Sequence, residues 1–178
     1  MSDQDEPPSK INRPTFEATK DIIDSVARSI SSGPIGLAKH KPEPWAEPLQ
    51  CFENVGRMVE QKGGRVLHGW TFHVRFAENL PGLPPYLYVT HHAVWHAPPK
   101  GELIDVTPYP DERHRPIGQG GDAIFLVDYD AKPVRSPTQI APLPLRFFAI
   151  GDDPKLSAYV AELNRNERHR CEKLYAAG

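Results

Sequence analysis

The sequence predicts an α+β protein in which a mostly antiparallel sheet packs against an N-terminal helix and further helices. Two segments with apolar residues every three or four positions precede the strands, and a third such segment follows them. Between these helices lie short segments with alternating or continuous apolar residues, separated by Gly and Pro, as is typical of strands. Helices grouped before and after a run of strands are characteristic of α+β folds.

The composition indicates a globular, soluble chain. It has 178 residues, of which 39% are hydrophobic and 25% charged, enough for one domain with a core. The net charge of −2 argues against nucleic-acid binding, which usually requires a basic surface. No signal peptide or apolar run long enough to cross a membrane is evident, so we expect a cytoplasmic protein without a membrane partner. In that compartment Cys51 and Cys171 are expected to be reduced.

The polar residues 1–14 predict a flexible N-terminus, followed by a single domain over residues 15–178. Thr15 is placed to cap a first helix, which Gly33 and Pro34 would end. The predicted apolar face of this helix consists of Phe16, Thr19, Ile22, Ile23, Val26 and Ile30.

Segment 36–50 contains three prolines, which predict an extended arm. A second helix is expected to begin at Pro48 or Leu49 and to end at Lys62, before two glycines. This boundary places Cys51 in the first turn. The predicted buried stripe consists of Phe52, Val55 and Val59, with Met58 beside it.

The strands are predicted from alternation and from short apolar runs. They cover residues 65–76, 86–96, 102–107, 123–129 and 145–150. In the first of these, Leu67, Thr71, His73 and Arg75 share one face. Asp153 and Pro154 are suited to the cap and first position of a last helix.

The stretch THHAVWHAPPKGELIDVTP, residues 90–108, predicts a hairpin with three histidines and one aspartate. A loop over residues 97–100 would pair His92 directly with Asp105, with Cβ atoms roughly 5 Å apart. A shift of one residue would turn Asp105 away from His92. Gly101 is suited to the end of the turn because glycine accepts positive φ.

Cys51 has the sequence context that a nucleophilic thiol requires. The pKa of a free cysteine is about 8.5, and a helix N-terminus or a nearby imidazolium lowers it. A thiol nucleophile also needs a histidine within hydrogen-bond reach and a third group that orients this histidine. Cys51 on a helix start, His92 on a strand and Asp105 on the next strand could together supply these three groups.

These residues resemble the transglutaminase-like members of the papain-like thiol superfamily. In that family the cysteine begins a helix, the histidine lies on a following strand in an H-A-x-W-like context, and the aspartate precedes a Thr-Pro-like turn. The matching positions here are Cys51, His92 in His92-Ala93-Val94-Trp95, and Asp105 in Asp105-Val106-Thr107-Pro108. The resemblance covers residues 48–110.

The chain also resembles a narrower group of small bacterial proteins of uncertain function. Their shared string is C-x-x-N-V, then G-G, G-W, H-A-V-W and G-x-L-x-D-V-T-P. Here these elements begin at Cys51, Gly63, Gly69, His92 and Gly101. The likeness implies a thiol-type site without naming its activity.

The resulting hypothesis is a cysteine-dependent hydrolase or acyltransferase that acts on an amide or ester, with a protein or peptide amide as the expected substrate. Cys51 would attack the carbonyl, His92 would transfer the proton, and Asp105 would hold His92 in the required tautomer. The backbone N–H of Cys51 could donate to an oxyanion. The candidates for a second donor are Gln50, Trp45 and Asn54. No cofactor is expected.

Two other interpretations stay open at this point. The first is a zinc site, for which the candidate ligands are Cys51, His68, His73, His91, His92, His96 and Asp105. His92 and His96 would lie roughly 13 Å apart along one strand, too far to share an ion without a bend. The second is a non-catalytic binding module on the same scaffold. Its contacts would come from exposed aromatic residues, namely Trp45, Tyr86, Tyr88 and Tyr109. The oligomeric state has no signature in the sequence.

Overall fold

A computed structural model describes residues 16–78, 80–137 and 139–176, with side chains from residue 19 onward. The predicted flexible segment 1–14 and the predicted cap Thr15 lie outside these residues. The α+β prediction is confirmed, because the described residues form three α-helices and a strand-rich sheet that closes into a small barrel. No helix in the described part of the chain is both long enough and apolar enough to span a membrane.

The helices begin and end close to the predicted positions. They are α1 (Phe16–Ile30), α2 (Cys51–Lys62) and α3 (Pro154–Ala176). Asp153 caps α3 as predicted, since its Oδ1 accepts hydrogen bonds from the backbone N–H groups of Lys155 and Leu156, at 2.8 and 3.1 Å. The predicted start of α2 at Pro48 or Leu49 is wrong, because Leu49 has a φ of 65° that does not continue into a right-handed helix.

The described residues form nine strands. They are β1 (Ile35–His40), β2 (Arg65–Arg75), β3 (Tyr86–Ala97), β4 (Glu102–Asp105), β5 (Gly118–Gln119), β6 (Asp122–Val127), β7 (Val134–Arg135), β8 (Ile140–Ala141) and β9 (Arg146–Ala149). Five of them match the predicted strands, and four, namely β1, β5, β7 and β8, were not predicted as strands. The main sheet has the order β1-β4-β3-β2-β6-β5, and pairing between β1 and β6 closes it. Strand β9 joins β3, and β7 pairs with β8 in a separate two-stranded sheet.

Strand β1 corrects the prediction of an extended arm over residues 36–50. Its first part is extended but forms a strand of the barrel wall, parallel to β4 and antiparallel to β6. Ala38 is fully buried, whereas Ile35 and Leu37 are more than 40% exposed. Apolar residues on the outer face hide the usual alternation, so only the distant partner strands reveal this segment as a strand.

Apolar residues on both faces of the sheet form the core. The barrel interior contains Ala38, Leu67, Val94, Phe125 and Val127. Helix α1 packs outside the barrel against a cluster that includes Trp70, Phe72 and Leu126. Helix α2 covers Ala93, Trp95 and Ile104, and α3 covers Tyr86 and Tyr88. The three helices therefore hold β2 and β3 in place from several sides.

The register of the β3–β4 hairpin differs from the predicted one by two residues. Trp95 pairs with Ile104 and Ala97 with Glu102, so the loop covers residues 98–101 and Asp105 is diagonal to His92 rather than opposite it. A two-residue shift keeps Asp105 and His92 on one face, because side chains alternate with period two. Gly101 has a φ of 70°, as expected at the turn end.

One edge of β3 has a gap in its strand pairing. Strand β9 pairs with residues 86–89 and β4 with residues 95–97, so the described strands leave residues 90–94 without a partner on this edge. His92 lies at the centre of the gap. The start of α2 and the segment after β4 border the same opening.

Candidate active site

Cys51 is the first residue of α2 and faces the gap in β3. Contacts at both ends of the helix determine its position. At the C-terminal end, the indole N–H of Trp95 donates to the carbonyl of Gly63 at 2.8 Å. At the N-terminal end, Asn54 donates to the hydroxyl of Thr107 at 3.2 Å. These two links bind α2 to β3 and to the segment after β4, and they place the Cys51 thiol beside the end of the hairpin.

His92 and Asp105 form a buried ion pair. The Nε2 atom of His92 lies 3.0 Å from Oδ2 of Asp105, and their side chains are 15% and 1% exposed. The ring N–H does not point along this line, so neither atom has a well-aligned hydrogen-bond partner. The contact is therefore held mainly by opposite charges.

Cys51 and His92 line one cavity, and the two side chains interact electrostatically. Burial by itself would lower the pKa of His92, but its charge interactions and hydrogen bonds with Asp105 and Cys51 raise this pKa well above its usual value. At neutral pH the ring therefore carries a proton between a carboxylate and a sulfur atom. The arrangement combines a thiol, a ring that can hold a proton and a carboxylate that orients this ring.

Two neighbouring residues support Asp105. Its Oδ1 accepts a hydrogen bond from the backbone N–H of Thr107 at 3.0 Å. The phenol of Tyr109 is buried close to the carboxylate, and burial together with the Asp105 charge raises the pKa of this phenol, so it stays protonated. The Tyr109 ring stacks on His40, with ring centroids 3.9 Å apart, and His40 Nε2 lies 3.1 Å from the carbonyl oxygen of Thr107. Strand β1 thereby holds the turn that carries Asp105.

A cavity of about 540 Å³ extends from Cys51 and His92 along the even-numbered face of β3. Its walls are mainly apolar, and its described lining residues include neither Asp nor Glu. Tyr88 and Phe147 stand on opposite strands of the wall, as partners in the β3–β9 ladder. Such a concave, mostly apolar site with a few polar groups is typical of ligand-binding pockets.

A polar cluster interrupts the apolar wall next to His92. The hydroxyls of Thr71 and Thr90 lie 2.6 Å apart, and His73 Nε2 lies 3.2 and 3.0 Å from them. Burial lowers the pKa of His73 to about 3, and the positive charge of His92 adds to this effect. His73 is therefore neutral at physiological pH, and its ring stacks on Tyr88.

His91 lies on the opposite face of β3 from His92 and has a structural role. The backbone N–H of Leu143 donates to Nδ1 at 2.9 Å, and Nε2 lies 2.8 Å from the carbonyl of Ala131. These contacts require a neutral ring with its proton on Nε2. Burial lowers the pKa of His91 to about 4. His92, rather than His91, therefore meets Asp105.

The three residues considered for a second oxyanion donor occupy other positions. Asn54 exchanges hydrogen bonds with the backbone of Glu47, at 3.1 and 2.8 Å, in addition to its contact with Thr107. Trp45 packs under the guanidinium of Arg57, 4.2 Å from its ring centroid. Gln50 occupies the N-cap position without a side-chain cap bond, and its side chain is exposed. None of the three belongs to the described lining of the cavity.

The aromatic residues expected on the surface are mostly buried. Tyr86 and Tyr88 are each only 6% exposed, because α3 and β9 cover them. Trp45 and Tyr109 are half-buried. The expectation of an exposed aromatic surface is therefore wrong. These tyrosines instead form part of the cavity wall.

The candidate zinc ligands are dispersed among different contacts. Within the described residues, no group of three His, Cys, Asp or Glu side chains is arranged to hold a metal ion. His91 is held by backbone groups, and His73 contacts the two threonines.

In comparisons with known proteins, the chain matches no protein family, no curated protein and no solved structure. The resemblance in the stretch from Cys51 to Pro108 therefore stays a prediction.

Several residues of the site were not predicted from the sequence. His40 and Tyr109 support Asp105, and the cluster of Thr71, Thr90 and His73 lines the cavity. Alternation in β2 did place Thr71 and His73 on one face, which was the available signal. Nothing local in the sequence indicates that His40 and Tyr109 stack.

Proposed function

We propose that the protein is a cysteine-dependent hydrolase or acyltransferase of the transglutaminase-like, papain-like type, acting on an amide or ester. The observation that carries the proposal is that Cys51 and His92 line one cavity, with His92 3.0 Å from the buried carboxylate of Asp105. The cavity beside these groups leaves room for a substrate. A thiol, a base and an orienting acid are the parts that covalent acyl transfer requires.

In the proposed reaction, the sulfur of Cys51 attacks the carbonyl carbon of the substrate. Because His92 Nε2 faces Asp105, Nδ1 is the ring nitrogen available to the thiol and to the leaving group. The tetrahedral intermediate collapses to a thioester as His92 gives its proton to the departing amine or alcohol. Water or an amine then attacks the thioester, His92 takes its proton, and the Cys51 sulfur leaves.

Backbone groups at the start of α2 would stabilise the intermediate. As the first residue of the helix, Cys51 has a backbone N–H without an acceptor inside the helix. This N–H and the positive end of the helix dipole lie where negative charge develops on the carbonyl oxygen. The side chains of Gln50, Trp45 and Asn54 are not needed for this role.

Alkylation of the folded protein with iodoacetamide tests the proposal. Near pH 6.5 we expect Cys51 to react faster than the buried Cys171 and faster than Cys51 in His92→Ala, because the imidazolium favours a reactive thiolate. Mass spectrometry of peptides would measure both cysteines in one sample. Cys51 that reacts only after unfolding would overturn the proposal.

A small activated ester tests the acyl-transfer step itself. With p-nitrophenyl acetate we expect a burst of p-nitrophenolate that is stoichiometric with protein, followed by slower turnover. Cys51→Ala should abolish the burst while keeping the fold. A burst of equal size in Cys51→Ala would show that another group reacts.

A further inference from the structure

The cavity extends well beyond the reacting groups. Cross-strand pairs on one face of β2 and β3 follow one another away from His92, first Thr90 with Thr71 and then Tyr88 with His73. At a rise of about 3.3 Å per residue, Tyr88 lies roughly 13 Å along the strand from His92. This distance corresponds to an extended chain of three to four residues rather than to a small acyl group.

The walls of this cavity favour an apolar occupant without positive charge. Tyr88 and Phe147 are neighbours across the β3–β9 ladder, with ring centroids 6.3 Å apart. Leu143, Leu145 and Pro116 also belong to the lining. No described lining residue is acidic, so a cationic arm would lose hydration without gaining a counterion.

Most of the basic groups around the cavity already have acidic partners. The Arg170 guanidinium contacts Glu167 through two hydrogen bonds, at 2.8 and 2.7 Å. His114 lies 2.8 Å from Asp111, and His92 lies beside Asp105. Each of these groups therefore already lies beside an acidic partner.

Arg75 differs from these groups. It lies at the rim of the cavity with its guanidinium 4.9 Å from the ring centroid of Tyr88. Among the described residues, none of the ion pairs involves Arg75. Stacking on Tyr88 limits the guanidinium to a position above the far part of the cavity, where its N–H groups can donate to a carboxylate.

We propose that the cavity binds a short peptide arm that is apolar along its length and ends in a carboxylate, which Arg75 binds roughly 13 Å from the scissile carbonyl. The inference rests on the proposed function, because it takes Cys51 as the reacting group. It adds a substrate class and a specificity-determining residue to that function.

A pair of affinity labels that differ only in terminal charge tests this inference. Iodoacetyl-Ala-Phe-Ala has a terminal carboxylate, and its carboxamide form has none. We expect the carboxylate form to alkylate Cys51 about two- to five-fold more efficiently, as suits an ion pair at a partly exposed rim. The ratio of the two second-order rates is the measurement, and reaction with 2-mercaptoethanol corrects for intrinsic reactivity.

Two arginine variants show whether Arg75 causes the preference. Arg75→Gln should bring the ratio to that of the reference thiol. Arg168→Gln removes the same charge from an exposed position on α3 outside the cavity lining, and it should keep the wild-type ratio. Equal rates for the two labels in the wild-type protein, a ratio unchanged in Arg75→Gln, or an equal loss in both variants would each overturn the inference.

The same experiment separates this inference from the proposed function. Unmodified iodoacetamide reports the thiol alone, since it is too small to reach Arg75. If it fails to label Cys51 in the folded protein, the proposed function fails. If it labels Cys51 but the two peptide labels react equally, only the peptide-carboxylate inference is overturned.

Discussion

Asp105→Asn removes the charge that faces His92 while keeping the size of the side chain. In the native protein, Asp105 is completely buried and lies 3.0 Å from His92 Nε2. The amide oxygen of Asn could still accept the hydrogen bond from the Thr107 backbone. The substitution therefore changes charge more than packing, and its main effect should be on the protonation and orientation of His92.

The distance gives the order of magnitude of this effect. Two unit charges 3.0 Å apart attract each other by about 5 kcal/mol at an effective dielectric constant of about 20. If a quarter of this energy acts on the ring proton, the ratio of protonated to neutral His92 falls about tenfold. Since burial favours the neutral ring and Asp105 opposes it, Asp105→Asn should lower the pKa of His92. We expect Cys51 alkylation near pH 6.5 to slow by up to about tenfold.

Iodoacetamide labelling between pH 5 and 8 would measure this change, with circular dichroism as the check on folding. Asp111→Asn is the matched control, because Asp111 also contacts a histidine, His114, at 2.8 Å, but both side chains are more than one-third exposed. The control should alkylate Cys51 at the wild-type rate. A folded Asp105→Asn variant with wild-type labelling near pH 6.5 would refute the role given to Asp105.

Two further predictions concern stability. Burial lowers the pKa values of His91 and His73 to about 4 and about 3, so the unfolded chain binds protons first as pH falls from about 6.5. Proton uptake linked to each histidine should lower the unfolding free energy by about 2 kcal/mol between pH 6.5 and 5. Urea unfolding would measure this loss, which should be smaller in His91→Gln because the Gln amide can make both contacts of the ring. A loss in His91→Gln equal to that of the wild-type protein would contradict this prediction. Leu49 has a φ of 65°, so Leu49→Gly should raise the unfolding free energy by up to about 1 kcal/mol, whereas Leu49→Ala should not. Thermal unfolding measures both variants, and a more stable Leu49→Ala would contradict the strain argument.

Much of the local structure follows from the sequence because it depends on near neighbours. Asp153 and Pro154 indicate the start of α3, and alternation indicates β2 over nearly its whole length. Cys51 was expected in the first turn of α2 and is its first residue, although Leu49 moves the boundary. These features depend on periodicity and caps within a few residues.

The β3–β4 hairpin shows where such prediction ends. The alternation of side chains put His92 and Asp105 on one face, and this is how they lie. The register itself was wrong by two residues, because the turn over residues 98–101 determines which residues are opposite. A diagonal pair has its Cβ atoms farther apart than an opposite pair, yet the long imidazole still reaches the carboxylate.

The sequence alone determined three features: the α+β class, the helix that carries Cys51, and the common face of His92 and Asp105. Each of these features depends on local periodicity. Only the tertiary structure determined that β1 closes a barrel, that Tyr109 and His40 support Asp105, and that Arg75 stands over Tyr88 at the far end of the cavity. These contacts join segments distant in the chain. They form because packing and pairing across the whole fold decide them, and no short stretch of sequence contains that information.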